Sequence, residues 1–313
     1  MPNTSHISTF ILLGFSDKFQ QNILYCILFF MIYIISLIAN VLIISVVSLH
    51  HPLHTPMYFF LVNLSVTDLG SISVTIPKAM INAALNNREI SYSGCIAQVF
   101  FLLFFGMSDF FLLTGMAYDR YIAICDPLHY EIIMDRKTCI QLAVIAWIGG
   151  LLYSILHTCG TFAINFCSSV LNDFFCDVSQ LLKISCDNSY FIEVAFIIFS
   201  IAGIAVPCFS FIIVSYVRIF RSVFKISTLQ RKNKAFSTCI PHLIVVSFFV
   251  IMASVNLLKP PSVSPSNIEM VITILYSVVP SLMNPIVYTI RNREIQVALC
   301  DMFKSIITSR NQL

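Results

Sequence analysis

The sequence predicts an all-α membrane protein, a bundle of seven transmembrane helices with the N-terminus extracellular and the C-terminus cytoplasmic. Three observations carry that expectation. The 313 residues are 58% hydrophobic and 11% charged, where soluble chains average about 45–50% and about 25%. Seven stretches are long and apolar enough to cross a bilayer, which takes about 20 helical residues. Lysine and arginine gather between alternate stretches, as they do on the cytoplasmic side of a membrane. So few solvating side chains exclude an ordinary cytosolic domain, a disordered chain and a nucleic-acid binder. Backbone groups in lipid need internal partners, and without the polar–apolar alternation of a barrel the spans must be helices.

The elements follow in order. Residues 1–23 form an extracellular N-terminus without a signal peptide, since Met1–Gln21 has no basic segment followed by an apolar one. The sequon Asn3-Thr4-Ser5 can carry a glycan only on the lumenal side. No Asp, Glu, Lys or Arg lies between Lys18 and Asp68, and Leu24–Leu49 within that run gives helix one. Met57–Pro77 and Cys95–Ile124 give helices two and three, each with one buried acid, Asp68 and Asp109. Residues 138–172, 194–217, 235–258 and 270–290 are free of charged residues and give helices four to seven. The bundle therefore spans 24–290, and 291–313 is a cytoplasmic tail with a short amphipathic helix. A second sequon, Asn63-Leu64-Ser65, lies inside helix two and should be silent.

With the N-terminus outside, 13 of the 18 basic residues face the cytoplasm, Arg120, Arg136 and Arg218 among them. The connections are short except between helices four and five. About thirty residues there make a loop of the length usually given to lids. Cys167, Cys176 and Cys186 lie in it, and Cys95 opens helix three on the same oxidising side. Four cysteines permit three pairings, which sequence alone does not rank.

Five segments, in order along nearly the whole chain, carry a family resemblance. They are Pro56-Met57-Tyr58-Phe59-Phe60-Leu61, then Met116-Ala117-Tyr118-Asp119-Arg120-Tyr121-Ile122-Ala123-Ile124-Cys125, then Ser215-Tyr216, then Lys234-Ala235-Phe236-Ser237-Thr238-Cys239, and finally Asn284-Pro285-Ile286-Val287-Tyr288. Together these resemble a vertebrate odorant receptor of the tetrapod-type class, within the rhodopsin-like superfamily. The resemblance implies a plasma-membrane receptor that binds a small volatile or lipophilic odorant. It also implies activation of a stimulatory heterotrimeric G protein that raises cyclic AMP. A non-olfactory chemosensory receptor of the same fold is the nearest alternative, and a sodium- or proton-coupled carrier lies further off, since carriers show internal repeats. Enzyme motifs such as G-x-S-x-G, H-E-x-x-H and the phosphate-binding G-x-x-x-x-G-K-[ST] are absent.

By resemblance, Asp119 holds Arg120 at rest and releases it when helix six swings outward. Asp119, Arg120 and Tyr121 then belong to the G-protein-coupling end, with Tyr216, Asn284, Pro285 and Tyr288 as parts of the activation machinery. Pro285 removes a backbone donor, so a kink is expected there. The segment Asp173-Phe174-Phe175-Cys176-Asp177 looks like the family segment whose cysteine bridges to the top of helix three. That implies Cys95–Cys176 and leaves Cys167–Cys186.

An unpaired charge in the membrane centre costs at least about 2.5–3.5 kcal/mol. Asp68 and Asp109 have no basic residue at comparable depth, so either one is protonated or a cation lies between them. Similar receptors place an allosteric sodium ion there, with Asn40 and Asn284 as further oxygen donors and Ser71 and Ser108 nearby; no other cofactor is implied. Family architecture points Leu102, Leu103, Gly106 and Met107 into a ligand pocket from helix three, with Ser200 and Ile204 from helix five. Helices six and seven add Val250, Ala253, Ser254, Leu257 and Ser277. The set implies a lipophilic ligand held by contact area and oriented by serine hydroxyls.

Overall fold

The computed structural model describes residues 7–13, 19–85, 87–186, 190–257 and 267–310. Asn3, named above as a glycan acceptor, lies outside the described residues. The long helices are α1 (Phe19–Leu49), α2 (Pro56–Leu85), α3 (Tyr92–Cys125), α5 (Arg136–Phe162), α9 (Leu229–Leu257) and α10 (Asn267–Arg291). The fifth span is α7 (Tyr190–Ser200) and α8 (Val206–Lys225), joined by one π-helical turn over Ile201–Ala205. Short helices α4 (Tyr130–Ile133) and α6 (Val178–Lys183) sit in loops, and α11 (Arg293–Arg310) follows the seventh span.

Among the described residues, six helices are long and apolar enough to cross a membrane, and the seventh carries a shorter apolar stretch, Ser277–Ile290. Their outer faces are studded with bare Ile, Leu, Phe and Val, as a lipid solvent demands. The fifth span is the most lipid-facing, with only 11% of its most apolar window buried.

Helix ends follow local chemistry. Ser91 caps α3 by accepting from the Gly94 amide at 3.1 Å. Asp135 caps α5 through Thr138, whose bonds to the carboxylate hold it below its ordinary range. The second span does not stop at Pro77 as expected but runs to Leu85. Pro77 removes one backbone donor, while the turns beyond it bury Ala79 and Ala83 against Phe174 and Phe175, and that burial outweighs the lost bond.

α3 is the axis of the bundle and packs on α2, α5, α8 and α9. Its seam with α5 is close because Gly150 has no side chain: a Cβ there would lie 2.2 Å from Ser108 Oγ. The largest core cluster surrounds the Arg120 half of α3 and includes Leu64, Leu113, Met116, Ile219 and Tyr288.

At the Cys95 end the chain builds a small sheet absent from the sequence expectations. Strand β1 (Thr9–Leu12) lies between β2 (Glu89–Ser91) and β3 (Val170–Leu171), antiparallel to the first and parallel to the second. Phe10 and Leu12 point inward and are fully buried with Cys95, Val99 and Leu181. Leu13 extends the attachment by donating to Asp173 O at 2.8 Å.

Candidate functional site

At one end of α3, Arg120 Nε donates to Asp119 Oδ2 at 2.8 Å, and its Nη2 donates to the same oxygen. Tyr130 from α4 donates its hydroxyl to Asp119 Oδ1 at 2.7 Å. Burial, then the Asp119 carboxylate, pushes the Tyr130 hydroxyl above its usual range. Asp119 is therefore held on both oxygens, and Tyr130 is a member that sequence reasoning missed. Arg218 Nη1 donates to the Tyr121 hydroxyl at 3.2 Å.

One turn or more further into the bundle, Tyr216 OH lies 2.8 Å from His242 Nδ1, and His242 Nε2 lies 2.9 Å from Leu113 O. A carbonyl oxygen only accepts, so Nε2 carries the proton; in the neutral ring Nδ1 then accepts from Tyr216. This chain of bonds ties α8, α9 and α3 together. Its signal in the sequence was a histidine inside a stretch without charge, which is costly in lipid unless bonded. The Tyr288 hydroxyl is buried nearby without a hydrogen-bond partner among the described residues. Past Pro285, Tyr58 OH donates to Glu294 Oε2 at 2.7 Å and so ties α2 to the start of α11.

In the middle of the bundle, Asn284 Nδ2 donates to both oxygens of Asp68, at 3.0 and 2.9 Å. Thr67 donates its hydroxyl to Asp109 Oδ1. Asn40 is used differently: its Nδ2 reaches Ser36 O and Ser281 O, both at 3.0 Å, and pins α1 to α10. The side-chain oxygens of Asn40 and Asn284 are buried without partners among the described residues. Ser108, expected beside the acids, instead turns its hydroxyl toward Gly150.

Beside these acids opens a cavity of about 460 Å³. Leu102, Leu103, Gly106 and Met107 line it from α3, Val250, Ala253 and Ser254 from α9, and Ser277 from α10. Leu257 ends α9, but its side chain lies outside the described residues. Two expected residues are displaced: Ser200 and Ile204 do not line the cavity, whereas Ile201 and Ala205 do. The π-helical turn over Ile201–Ala205 accounts for this. It winds one extra residue into the turn and so rotates the wall by one position. Ser71, Asp109, Tyr153 and Phe249 also line the cavity and were not among the expected pocket residues.

Ser200 serves a second polar cluster instead. His157 Nδ1 lies 2.7 Å from Glu193 Oε1, and Nε2 lies 2.9 Å from Ser200 Oγ. All three residues are buried between α5 and α7. The Tyr153 ring, on the cavity wall, packs 4.3 Å from the His157 ring. Glu193 precedes the uncharged run 194–217 and belongs to the first turn of α7, not to the long loop. His157 was the available signal, again a histidine within an uncharged run.

The Cys95 end is closed by covalent bonds as well as by the sheet. Disulfides join Cys95 to Cys176 and Cys167 to Cys186. Gln98 adds to the first by accepting from the Cys176 amide at 2.8 Å. Asn63 lies within α2 and accepts from Trp147 Nε1 at 3.0 Å.

Seven spans with α3 on their axis, an arginine–carboxylate pair at one end and an apolar cavity toward the other define a seven-helix membrane bundle. The fold agrees with the crystal structure of squid rhodopsin, with a TM-score of 0.73 at 17% identity over 93% of this chain and 88% of that one. The olfactory receptor family model matches residues 29–305. Two relatives from Homo sapiens are olfactory receptor 14A16, 45% identical, and olfactory receptor 14C36, 43% identical; each match covers 99% of this chain and 100% of the relative. The chain belongs to the olfactory receptor family. It is an odorant receptor of the plasma membrane, a multi-pass signalling protein and not an enzyme, in a family that binds odorants and acts through G proteins.

Proposed function

We propose that a small lipophilic odorant enters the 460 Å³ cavity from the extracellular side and that the opposite end of the bundle then activates a stimulatory heterotrimeric G protein, raising cyclic AMP. This reading places the N-terminus outside and the tail from Arg293 in the cytoplasm. One observation carries it above the rest: α9 supplies Phe249, Val250 and Ala253 to the cavity and His242 to the bonds with Tyr216 and Leu113. A ligand that repositions α9 therefore acts on the contacts beside Arg120. It shifts the equilibrium only by its differential affinity for the two arrangements. Release of Arg120 from Asp119, whose other oxygen Tyr130 holds, frees the guanidinium for the G protein.

The acids suit an allosteric sodium ion. Asp68 and Asp109 would hold it with Asn284 Oδ1, a hard oxygen donor set. The ion would supply the positive charge that no side chain provides there.

Arg120→Ala tests the signalling reading. Surface delivery should persist, and agonist-evoked cyclic AMP should fall to background in cells matched for surface receptor. An undiminished cyclic AMP response would rule out the latch.

A further inference from the structure

Resting on the odorant-receptor reading, we propose that the cavity is built for lipophilic amines, with Asp109 as the anchor for the ammonium group. Asp109 is one of the residues that line the cavity, and among the described residues Thr67 is the hydrogen-bond donor to its carboxyl group, acting on Oδ1. A second, much smaller space of about 10 Å³ adjoins the cavity, because Asp109, Phe249 and Pro280 line both. Asn284 also lines the small space, and its Oδ1 is buried without a partner. The floor of the ligand cavity is thus bounded by an acid and by a residue whose amide oxygen has no partner among the described residues, around a volume of about one water molecule.

The chemistry of that floor selects its guest. Both groups are acceptors, and no lysine or arginine occurs at this depth to meet them. A primary ammonium head brings three donors, no acceptor and the missing positive charge. An alcohol brings one donor and leaves the carboxylate without a counter-charge. An aldehyde, ester or carboxylate sets acceptor against acceptor and is disfavoured. The remaining walls, chiefly Leu102, Leu103, Met107, Phe110 and Val250, offer contact area to a hydrocarbon skeleton. A cavity of this size holds a skeleton of about six to ten carbon atoms with room to spare. Sodium would occupy the same acceptors, so sodium and the amine exclude each other.

The test uses the full-length receptor in detergent and matched sets of primary amine, alcohol and hydrocarbon sharing one skeleton, across that range of sizes. Ligand-induced rises in the thermal midpoint are read against concentration. The amine should act at a concentration about tenfold or more below that of its alcohol. Asp109→Asn should erase the preference while the alcohol still acts, and Asp109→Glu should keep it. If Asp109→Asn yields no folded protein, the parent decides: exchanging a bulky organic cation for sodium at constant ionic strength should weaken the amine and leave the alcohol unchanged. Equal potency of amine and alcohol, a preference that survives Asp109→Asn, or an amine indifferent to sodium would overturn the proposal and leave the odorant cavity standing. If none of the three classes moves the midpoint at any size, the reading of the cavity as an odorant site falls as well.

Discussion

Between α5 and α7, Glu193 faces the ring of His157 at 2.7 Å, and Ser200 completes the other side of that ring. Between α2 and α3, Asp68 and Asp109 are buried with amide and hydroxyl donors alone. Both sites lie in a low-dielectric bundle, yet only the first includes a side chain able to carry positive charge. The first is self-contained and can act as a fixed strut beside the cavity wall. The second has no such side chain among the described residues, and on the sodium and amine readings proposed above it would take its positive charge from a bound cation. Polar groups in a membrane bundle thus differ in purpose according to whether their partners come from within the chain.

The largest expected effect breaks the closed site. His157→Leu leaves Glu193 without its donor in the interior, a loss of about 3–5 kcal/mol. Surface receptor, counted by flow cytometry, should fall to background. The double variant His157→Leu/Glu193→Leu should recover most of it, because no orphaned carboxyl remains. Parental surface levels for the single variant would show that the pair is not a strut.

A smaller loss is expected from Gly160→Ala, since a Cβ there would lie 1.9 Å from Glu193 Oε2. Crowding of this kind costs about 1–3 kcal/mol. The thermal midpoint should drop in the parent and hold steady when the same change is made in a Glu193→Ala background. Equal drops in both backgrounds would place the clash elsewhere.

The open site should respond with the opposite sign. Asp68→Asn removes one of two mutually repelling carboxyl groups and keeps an oxygen for Asn284. In sodium-free buffer the variant should gain about 1 kcal/mol, read as a midpoint higher by about 2–4 °C. Destabilisation under those conditions would mean that Asp68 is as well compensated as Glu193.

Most of the bundle was legible because a bilayer sets one length scale, and an uncharged run of that length has few other uses. The ends were less legible: α1 begins at Phe19 and not Leu24, and α2 passes Pro77, because helices continue beyond the hydrocarbon wherever packing favours it. The arginine latch and the acids could be read from residue type and place, but Tyr130 could not, since its contact with Asp119 depends on how the α4 turn folds back. On the fifth span the expected cavity residues missed by one position. Nothing in the composition of Ile201–Ala205 marks a π-helical turn, yet that turn decides which side chains face inward. Strand β1 escaped for a different reason. Four residues have little intrinsic preference for a strand, and both partners of β1 are remote in sequence.

That remoteness has a consequence for biogenesis. Thr9–Leu12 is made first, whereas Val170–Leu171 is made only after α1, α2, α3 and α5. The middle strand of the sheet must therefore wait, half of its backbone groups bare, until more than half of the chain has been threaded through the membrane. Closure of the cap is a late event in assembly, and it reports that four spans have already arrived in register. A quality-control system that inspects Thr9–Leu12 would in effect be inspecting the completion of the whole Cys95 end of the bundle.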